Sequence, residues 1–217
     1  TAAHCTEGLV ASRLYVIPAF HSFSSDATWD KIVGVAQKAE HPNYGQPVFA
    51  NNDISILTLK KSASSAKARV FGGTDQFAGK TSTVIGVGLL SGGGTTPNIL
   101  QKVNLQIVSN SVCANAWGSS SITPSMLCAG GTSSGGIGAC SGDSGGPLFV
   151  NHDGERVQAG IVSWGHKDCA QPGFYDVYAR TGALISFVRQ HAPGAAIVVD
   201  LNFNIVPSLV PLLFDTD

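Results

Sequence analysis

The chain has 217 residues and a formal net charge of −1, and 43% of its residues are hydrophobic against 12% charged. This balance provides enough apolar surface for one or two globular domains. The sequence contains no run of lysine or arginine. Such a run is typical of surfaces that bind nucleic acid or anionic membranes, so neither partner is predicted.

Short apolar and β-branched runs, bounded by polar, glycine or proline residues, predict strands in the first part of the chain. They cover residues 13–17, 31–36 and 54–59. The last run alternates apolar and polar residues, as a half-buried strand does. Asp53 directly precedes that run, so the pattern puts Asp53 at the mouth of a strand.

The stretch 60–67 is rich in serine, alanine and lysine and predicts a connection between two halves. Further strands are predicted at residues 81–90, 100–108, 147–150, 157–164 and 173–177. Strands at short intervals with glycine-rich turns indicate an all-β sandwich or barrel. Only residues 182–191 offer a helix, because Leu184, Phe187 and Val188 recur at helical spacing.

The tail, residues 193–217, is dense in apolar residues. Asp200, Asn202, Asn204, Pro207 and Pro211 interrupt it, which argues against a membrane-spanning helix. The tail is either a frayed extension or a cover for an exposed barrel edge.

The most informative motif is Ser-Gly-Asp-Ser-Gly-Gly-Pro at residues 141–147. Glycines on both sides of Ser144 permit a sharp turn that brings backbone N–H groups close to whatever the serine attacks. Taken alone, the motif is equally compatible with an ordinary loop, since the chain has 26 glycines.

Three other motifs change this interpretation: Thr-Ala-Ala-His-Cys at 1–5, Asn-Asn-Asp-Ile at 51–54, and Ser-Trp-Gly at 163–165. Together with the serine motif, they make residues 1–191 resemble the trypsin/chymotrypsin family of serine proteases. The resemblance implies two six-stranded antiparallel β barrels, the first incomplete here, and a short C-terminal helix. It implies a first barrel at 1–62, a second at 63–181, a closing helix at 182–192 and the extra tail at 193–217.

A serine hydroxyl needs a base to take its proton and a group to orient that base. The resemblance assigns Ser144 as nucleophile, His4 as base and Asp53 as the orienting carboxylate, with Ser163 helping to satisfy Asp53. The chain order His, Asp, Ser is that of the chymotrypsin-like class. The backbone N–H groups of Gly142 and Ser144 would form the oxyanion hole. The other five histidines lack such neighbours and are interpreted as structural or solvated.

In the resembled family, the substrate side chain enters a pocket whose floor corresponds to Gly138, where trypsin-like members have an aspartate. Gly165 and Gly173 correspond to its walls. An uncharged floor and small walls predict a chymotrypsin-like preference for large apolar side chains. The backbone of Ser163, Trp164 and Gly165 would pair with an extended peptide substrate.

The resemblance also implies the disulfides Cys113–Cys128 and Cys140–Cys169, which favour an oxidising compartment and hence a secreted protein. Five reduced cytosolic thiols are the alternative. Cys5 is left over; its family counterpart pairs with an upstream cysteine, so we expect the chain to be a fragment. No C-x-x-C pair suggests zinc and no acidic loop suggests calcium, so no metal or cofactor is expected.

Family members are activated when a newly formed N-terminal amine pairs with the aspartate before the nucleophile, here Asp143. Thr1 lies three residues from His4 and cannot supply that amine, so the chain as it stands is expected to be weak or inactive. Two functions stay open. One is a secreted, monomeric serine endopeptidase with protein or peptide substrates and a protein inhibitor as a candidate partner. The other is a non-catalytic homologue that binds or inhibits a partner protein, as glucanase inhibitor proteins do.

Overall fold

The structure is a computed structural model that describes residues 1–63 and 67–200. Its strands are β1 Tyr15–Val16, β2 Val33–Glu40, β3 Ser55–Leu59, β4 Arg69–Phe71, β5 Thr81–Gly86, β6 Gln101–Val108, β7 Met126–Gly130, β8 Pro147–His152, β9 Glu155–Trp164, β10 Tyr175–Arg180 and β11 Ile197–Val198. Its helices are α1 Phe23–Asp26, α2 Asn110–Trp117 and α3 Ile185–His191. The predicted all-β class is confirmed.

Six strands form a closed antiparallel barrel. They are hydrogen-bonded in the order β10-β7-β6-β5-β8-β9, and β9 pairs again with β10 to complete the ring. Side chains alternate between the two faces of each strand, so every second residue points inward. Leu148, Val157 and Tyr178 are among the side chains that fill the interior and are fully buried.

The first part of the chain forms an open sheet of three strands in the order β1-β2-β3, which matches the predicted incomplete first barrel. A second apolar cluster joins this sheet to the rest of the protein. Ile54 directly before β3, Ile161 from β9 and Phe187 from α3 are buried together there. Helix α3 therefore packs where the open sheet meets the closed barrel.

Helix α2 was not predicted, because its Asn- and Ser-rich sequence has no apolar stripe at helical spacing. The sequence signals for this helix are the capping residues at its two ends. The Ser109 hydroxyl accepts a hydrogen bond from the Val112 N–H at 3.3 Å, and Gly118 ends the helix with φ +92°. Cys113, its only buried residue, is bonded to Cys128 in β7. Strands β4, β7 and β11 and the one-turn helix α1 were also missed.

Part of the tail covers the outer edge of β4, a strand that is added to the closed barrel. Strand β11 pairs in parallel with β4, which itself pairs in parallel with β9. The Gly72 N–H donates to the Val198 carbonyl at 2.7 Å, and the Thr74 N–H donates to Asp200 Oδ2 at 2.9 Å. Residues 201–217 of the predicted tail, and 64–66 of the predicted connection, lie outside the described residues. Within residues 1–63 and 67–200, no helix has the length and apolarity needed to cross a membrane.

The edge strand β11 yields a matched pair of variants. Val198 is half-buried against the barrel core, whereas the next residue, Val199, is 39% exposed. We expect Val198→Ala to lower the free energy of unfolding by about 1 kcal/mol, because it removes packed methyl groups. Val199→Ala should change it by less than about 0.5 kcal/mol. Denaturant unfolding of both variants checks this, and equal losses would contradict the edge-strand packing.

Candidate active site

The Asp53 carboxylate lies two residues before β3 and is completely buried, at 0% exposure. A buried carboxylate is costly unless hydrogen bonds compensate for the lost water. Here three groups donate to it. The His4 backbone N–H donates to Oδ1 at 2.9 Å, His4 Nδ1 lies 2.7 Å from Oδ2, and the Ser163 hydroxyl also donates to Oδ2.

These contacts fix the state of the His4 ring. A carboxylate can only accept, so we assign a proton to His4 Nδ1, which leaves Nε2 as the acceptor when the ring is neutral. The hydrogen bond to Asp53 is the main cause that raises the pKa of His4. Burial alone would raise the pKa of Asp53, but the hydrogen bonds from His4 and Ser163 outweigh it and lower that pKa. The pair therefore stabilises an imidazolium at His4.

The loop that carries Ser144 is fixed through its backbone. The Asp143 N–H donates to the Cys140 carbonyl and the Gly146 N–H to the Asp143 carbonyl, each at 2.9 Å. The Gly145 N–H donates to Val162 of β9 at 2.8 Å. Gly145 has φ +76°, a left-handed conformation that glycine adopts without strain. The turn leaves the Ser144 side chain exposed.

The same loop contains the backbone N–H groups of Gly142 and Ser144. Among the described residues, neither N–H has a hydrogen-bond acceptor. Gly142 has φ +97°, and a Cβ there would lie only 3.1 Å from Gly88 Cα. Glycine is therefore required at this position, and both amides remain available to an incoming oxygen atom.

The serine loop lies against the segment that carries His4. A Cβ added to Gly145 would overlap Thr1 Oγ1 and would come within 3.3 Å of Cys5 Sγ. Ser163, which bonds Asp53, lines the same cavity as Ser144. His4 and Asp53 are thus joined directly and Ser144 lies beside them. Within the described part of the chain, no hydrogen bond joins Ser144 to His4.

That cavity has a volume of about 230 Å³. Its lining includes Ser144, Ser163, Trp164 and Gly165, together with Asp176 of β10. Both Cys140 and Cys169, which form the predicted second disulfide, also line it.

The sequence-based expectation of an uncharged pocket is wrong, because Asp176 is present. Neither Gly138 nor Gly173 is among the residues that line the cavity. Gly138 lies next to it, since a Cβ there would be 2.7 Å from Asp176 Oδ2. The strand register explains the difference: Val177 pairs with Trp164, which brings Asp176 rather than Gly173 beside Gly165.

A signal for Asp176 was present in the sequence. It is an acidic residue within Tyr-Asp-Val-Tyr-Ala, an otherwise apolar strand. Acidic residues are rarely buried without a partner, so an acid at a buried strand position indicates a functional site.

A separate cavity of about 190 Å³ contains the Asp143 carboxylate. That carboxylate accepts hydrogen bonds from the Gly88 N–H at 2.8 Å and the Cys140 N–H at 2.9 Å. The Thr1 nitrogen donates to the Ser55 carbonyl at 3.1 Å and makes no contact with Asp143.

An antiparallel β barrel that carries a carboxylate–imidazole pair beside an exposed serine is the architecture of a β-barrel serine hydrolase. The family model described as "Trypsin" matches residues 1–188. The chain belongs to the trypsin family of serine-type endopeptidases.

Its relatives agree with this assignment. Trypsin-1 of Astacus astacus is 35% identical over 199 residues, which are 88% of this chain and 82% of that protein. Trypsin of Saccharopolyspora erythraea is 34% identical over 200 residues, which are 91% of this chain and 83% of that protein. Trypsin zeta of Drosophila melanogaster is 38% identical over 193 residues, which are 85% of this chain and 66% of that protein.

The His4–Asp53 contact predicts a measurable coupling. In Asp53→Asn, the pKa of His4 should fall towards its ordinary value of 6.5, because the carboxylate that stabilises the imidazolium is gone. Proton NMR titration of the His4 ring measures this. Asp26→Asn is the control, since Asp26 pairs with Lys31. A His4 pKa that is unchanged in Asp53→Asn would rule out the coupling.

Proposed function

We propose that this serine protease hydrolyses peptide bonds through an acyl-enzyme formed on Ser144, with His4 as general base and Asp53 as its orienting group. The observation that carries the proposal is the buried Asp53 carboxylate, which receives hydrogen bonds from His4 and Ser163 beside the serine loop. If Asp53 had only a structural role, it would not need a half-exposed imidazole as its partner. If His4 is a general base, its ring needs both a fixed tautomer and access to solvent.

In the first half of the reaction, the Ser144 oxygen attacks the peptide carbonyl while His4 Nε2 takes the serine proton. The carbonyl oxygen becomes negatively charged, and the free N–H groups of Gly142 and Ser144 stabilise it. His4 then gives its proton to the departing amine, so the C–N bond breaks and an ester remains on Ser144. In the second half, water attacks the ester while His4 takes its proton. The ester bond then breaks, which releases the carboxylic acid and regenerates the Ser144 hydroxyl.

The cavity next to Ser144 receives the side chain on the acyl side of the cleaved bond. Gly165 lines the cavity and lacks a side chain, so the cavity can admit large apolar groups in line with the chymotrypsin-like preference. Backbone groups of residues 163–165 are suited to pairing with an extended peptide. Two disulfides support a secreted protein, because such bonds persist in oxidising compartments.

A second function, binding a partner protein without turnover, is favoured by one specific observation. Only backbone N–H groups, and no cationic group of the described residues, pair with Asp143. Asp143 directly precedes the serine, and within residues 1–63 and 67–200 the activating ion pair that the family resemblance implies for it is not formed. The absence of a Ser144–His4 hydrogen bond is weaker support, because such bonds often form only once substrate binds.

A fluorophosphonate probe separates the two functions, because it reacts only with a serine that a base has activated. We expect labelling of the unmodified protein and none in Ser144→Ala or His4→Ala. Ser141→Ala is the matched control, since Ser141 is exposed and lines the same cavity but should not be the nucleophile. Mass spectrometry locates the label. A folded protein that is not labelled would favour the binding function.

A further inference from the structure

Two consecutive glycines make room for the tail where β11 meets β4. A Cβ at Gly72 would lie only 2.8 Å from Ile197 Cγ2, and a Cβ at Gly73 would overlap Asp200 Oδ2. Any larger residue at either position would therefore push the tail away from the barrel. The fold provides a specific place for the end of the tail rather than a flat surface.

The Asp200 carboxylate is the group that enters this place. Its Oδ2 accepts hydrogen bonds from the Thr74 N–H at 2.9 Å and from the Asp75 N–H at 3.4 Å. Its Oδ1 lies 3.5 Å from Nε2 of His152, at the end of β8. The Asp200 side chain is only 20% exposed. A carboxylate that has lost most of its water needs such donors, and here they all come from outside the tail.

His152 has the burial expected of a residue in a built site. Its ring packs between Phe71 and Phe77, with ring centroids 4.9 Å and 5.7 Å away. Its Nε2 atom is buried and has no hydrogen-bond partner among the described residues. A ring nitrogen this close to a carboxylate interacts favourably only when it has a proton, and most strongly when the whole ring is charged. Protonation of His152 would therefore complete the site.

A second carboxylate lies equally close to the ring. Asp153 Oδ2 is also 3.5 Å from His152 Nε2, but the Asp153 side chain is 83% exposed. Water screens an exposed charge, so this pair should contribute little. Asp200 is the better shielded partner, and no backbone donor is recorded for Asp153 within residues 1–63 and 67–200.

The remaining charged groups around the ring are engaged with other partners. Glu155 stands opposite His152 in the pairing of β8 with β9. These groups and their partners are Glu155 with Arg69, the Asp75 carboxylate with the Phe77 N–H, and Arg180 with the Thr74 carbonyl.

We propose that His152 and the backbone N–H groups of Thr74 and Asp75 form a carboxylate-binding site whose ligand is Asp200 of the chain's own tail. The site fastens β11 to β4, and it does so more tightly when His152 is charged. It is separate from the proposed peptidase function and does not depend on it.

The sign of the pH dependence follows from the charge of the ring. Histidine is the side chain that ordinarily changes its charge between about pH 5 and about pH 8. The charged ring gains its shielded ionic partner only while the tail is attached. Attachment is therefore strongest at about pH 5 and weakens as the pH rises to about 8.

Hydrogen exchange at two amides measures the attachment directly. The Val70 N–H donates to the Ala196 carbonyl and the Gly72 N–H to the Val198 carbonyl, so both amides lose their acceptors when the tail detaches. We expect their protection factors, which correct for the pH dependence of chemical exchange, to be roughly three- to fivefold higher at about pH 5 than at about pH 8. The Ile107 N–H, bonded to Lys80 elsewhere in the barrel, is the internal control and should not follow this trend.

The two aspartates form a matched pair of variants. Asp200→Asn keeps an oxygen for the Thr74 N–H but removes the charge, so the protection of Val70 and Gly72 should fall roughly three- to fivefold at about pH 5 and lose its pH dependence. Asp153→Asn removes a charge at the same distance from His152 and should leave both properties unchanged. The reverse result, an effect of Asp153→Asn alone, would overturn the proposal.

A change on the barrel side completes the test. His152→Gln retains a nitrogen donor without a titratable charge, and it should also abolish the pH dependence. If this variant folds and the dependence persists, His152 is not the titrating group and the proposal fails. Asp200 lies outside the barrel core, so Asp200→Asn decides the question even if His152→Gln does not fold. Protection that is the same at about pH 5 and about pH 8 in the unmodified protein would contradict the proposal outright.

Discussion

The hydrogen bonds to one fully buried carboxylate, Asp53, are the interaction on which the site depends. Two of them come from His4, near the start of the chain, and the third comes from Ser163 in a strand of the closed barrel. Asp53 itself lies two residues before β3 of the open sheet. Because these three donors satisfy the charge, a movement of the sheet relative to the barrel would take the Ser163 donor away from a buried acid. The geometry of the proposed site and the packing of the two halves are therefore stabilised by the same contacts.

The site contains two buried acids whose surroundings differ. Hydrogen bonds lower the pKa of Asp53, so it stays ionised and can orient an imidazole. Asp176 has one backbone donor and a like charge nearby, and its pKa is raised to about 7. Environments that separate the pKa values of two acids in one site commonly separate their roles. In the proposed mechanism, Asp53 is the acid that orients the base.

Much of this organisation was predictable from sequence, because it rests on local signals. Alternation beginning at Ile54 indicated a strand, and the glycines around Ser144 indicated a tight turn. The family resemblance pointed to both disulfides and to the His4–Asp53 contact. Helix α2 was missed because one disulfide, rather than an apolar stripe, accounts for its buried residue. Asp176 was missed because its place in the cavity depends on the pairing of β10 with β9, a long-range register that neither glycine spacing nor composition encodes.

The most direct test of the site is whether Ser144 and His4 act as one unit. It compares kcat/KM for peptide hydrolysis in Ser144→Ala, His4→Ala and the double variant. If the imidazole activates this hydroxyl, either single change should cost as much as both together, because each alone removes the activated nucleophile. Losses that multiply in the double variant would show that the two side chains act independently, and would contradict the catalytic arrangement described above.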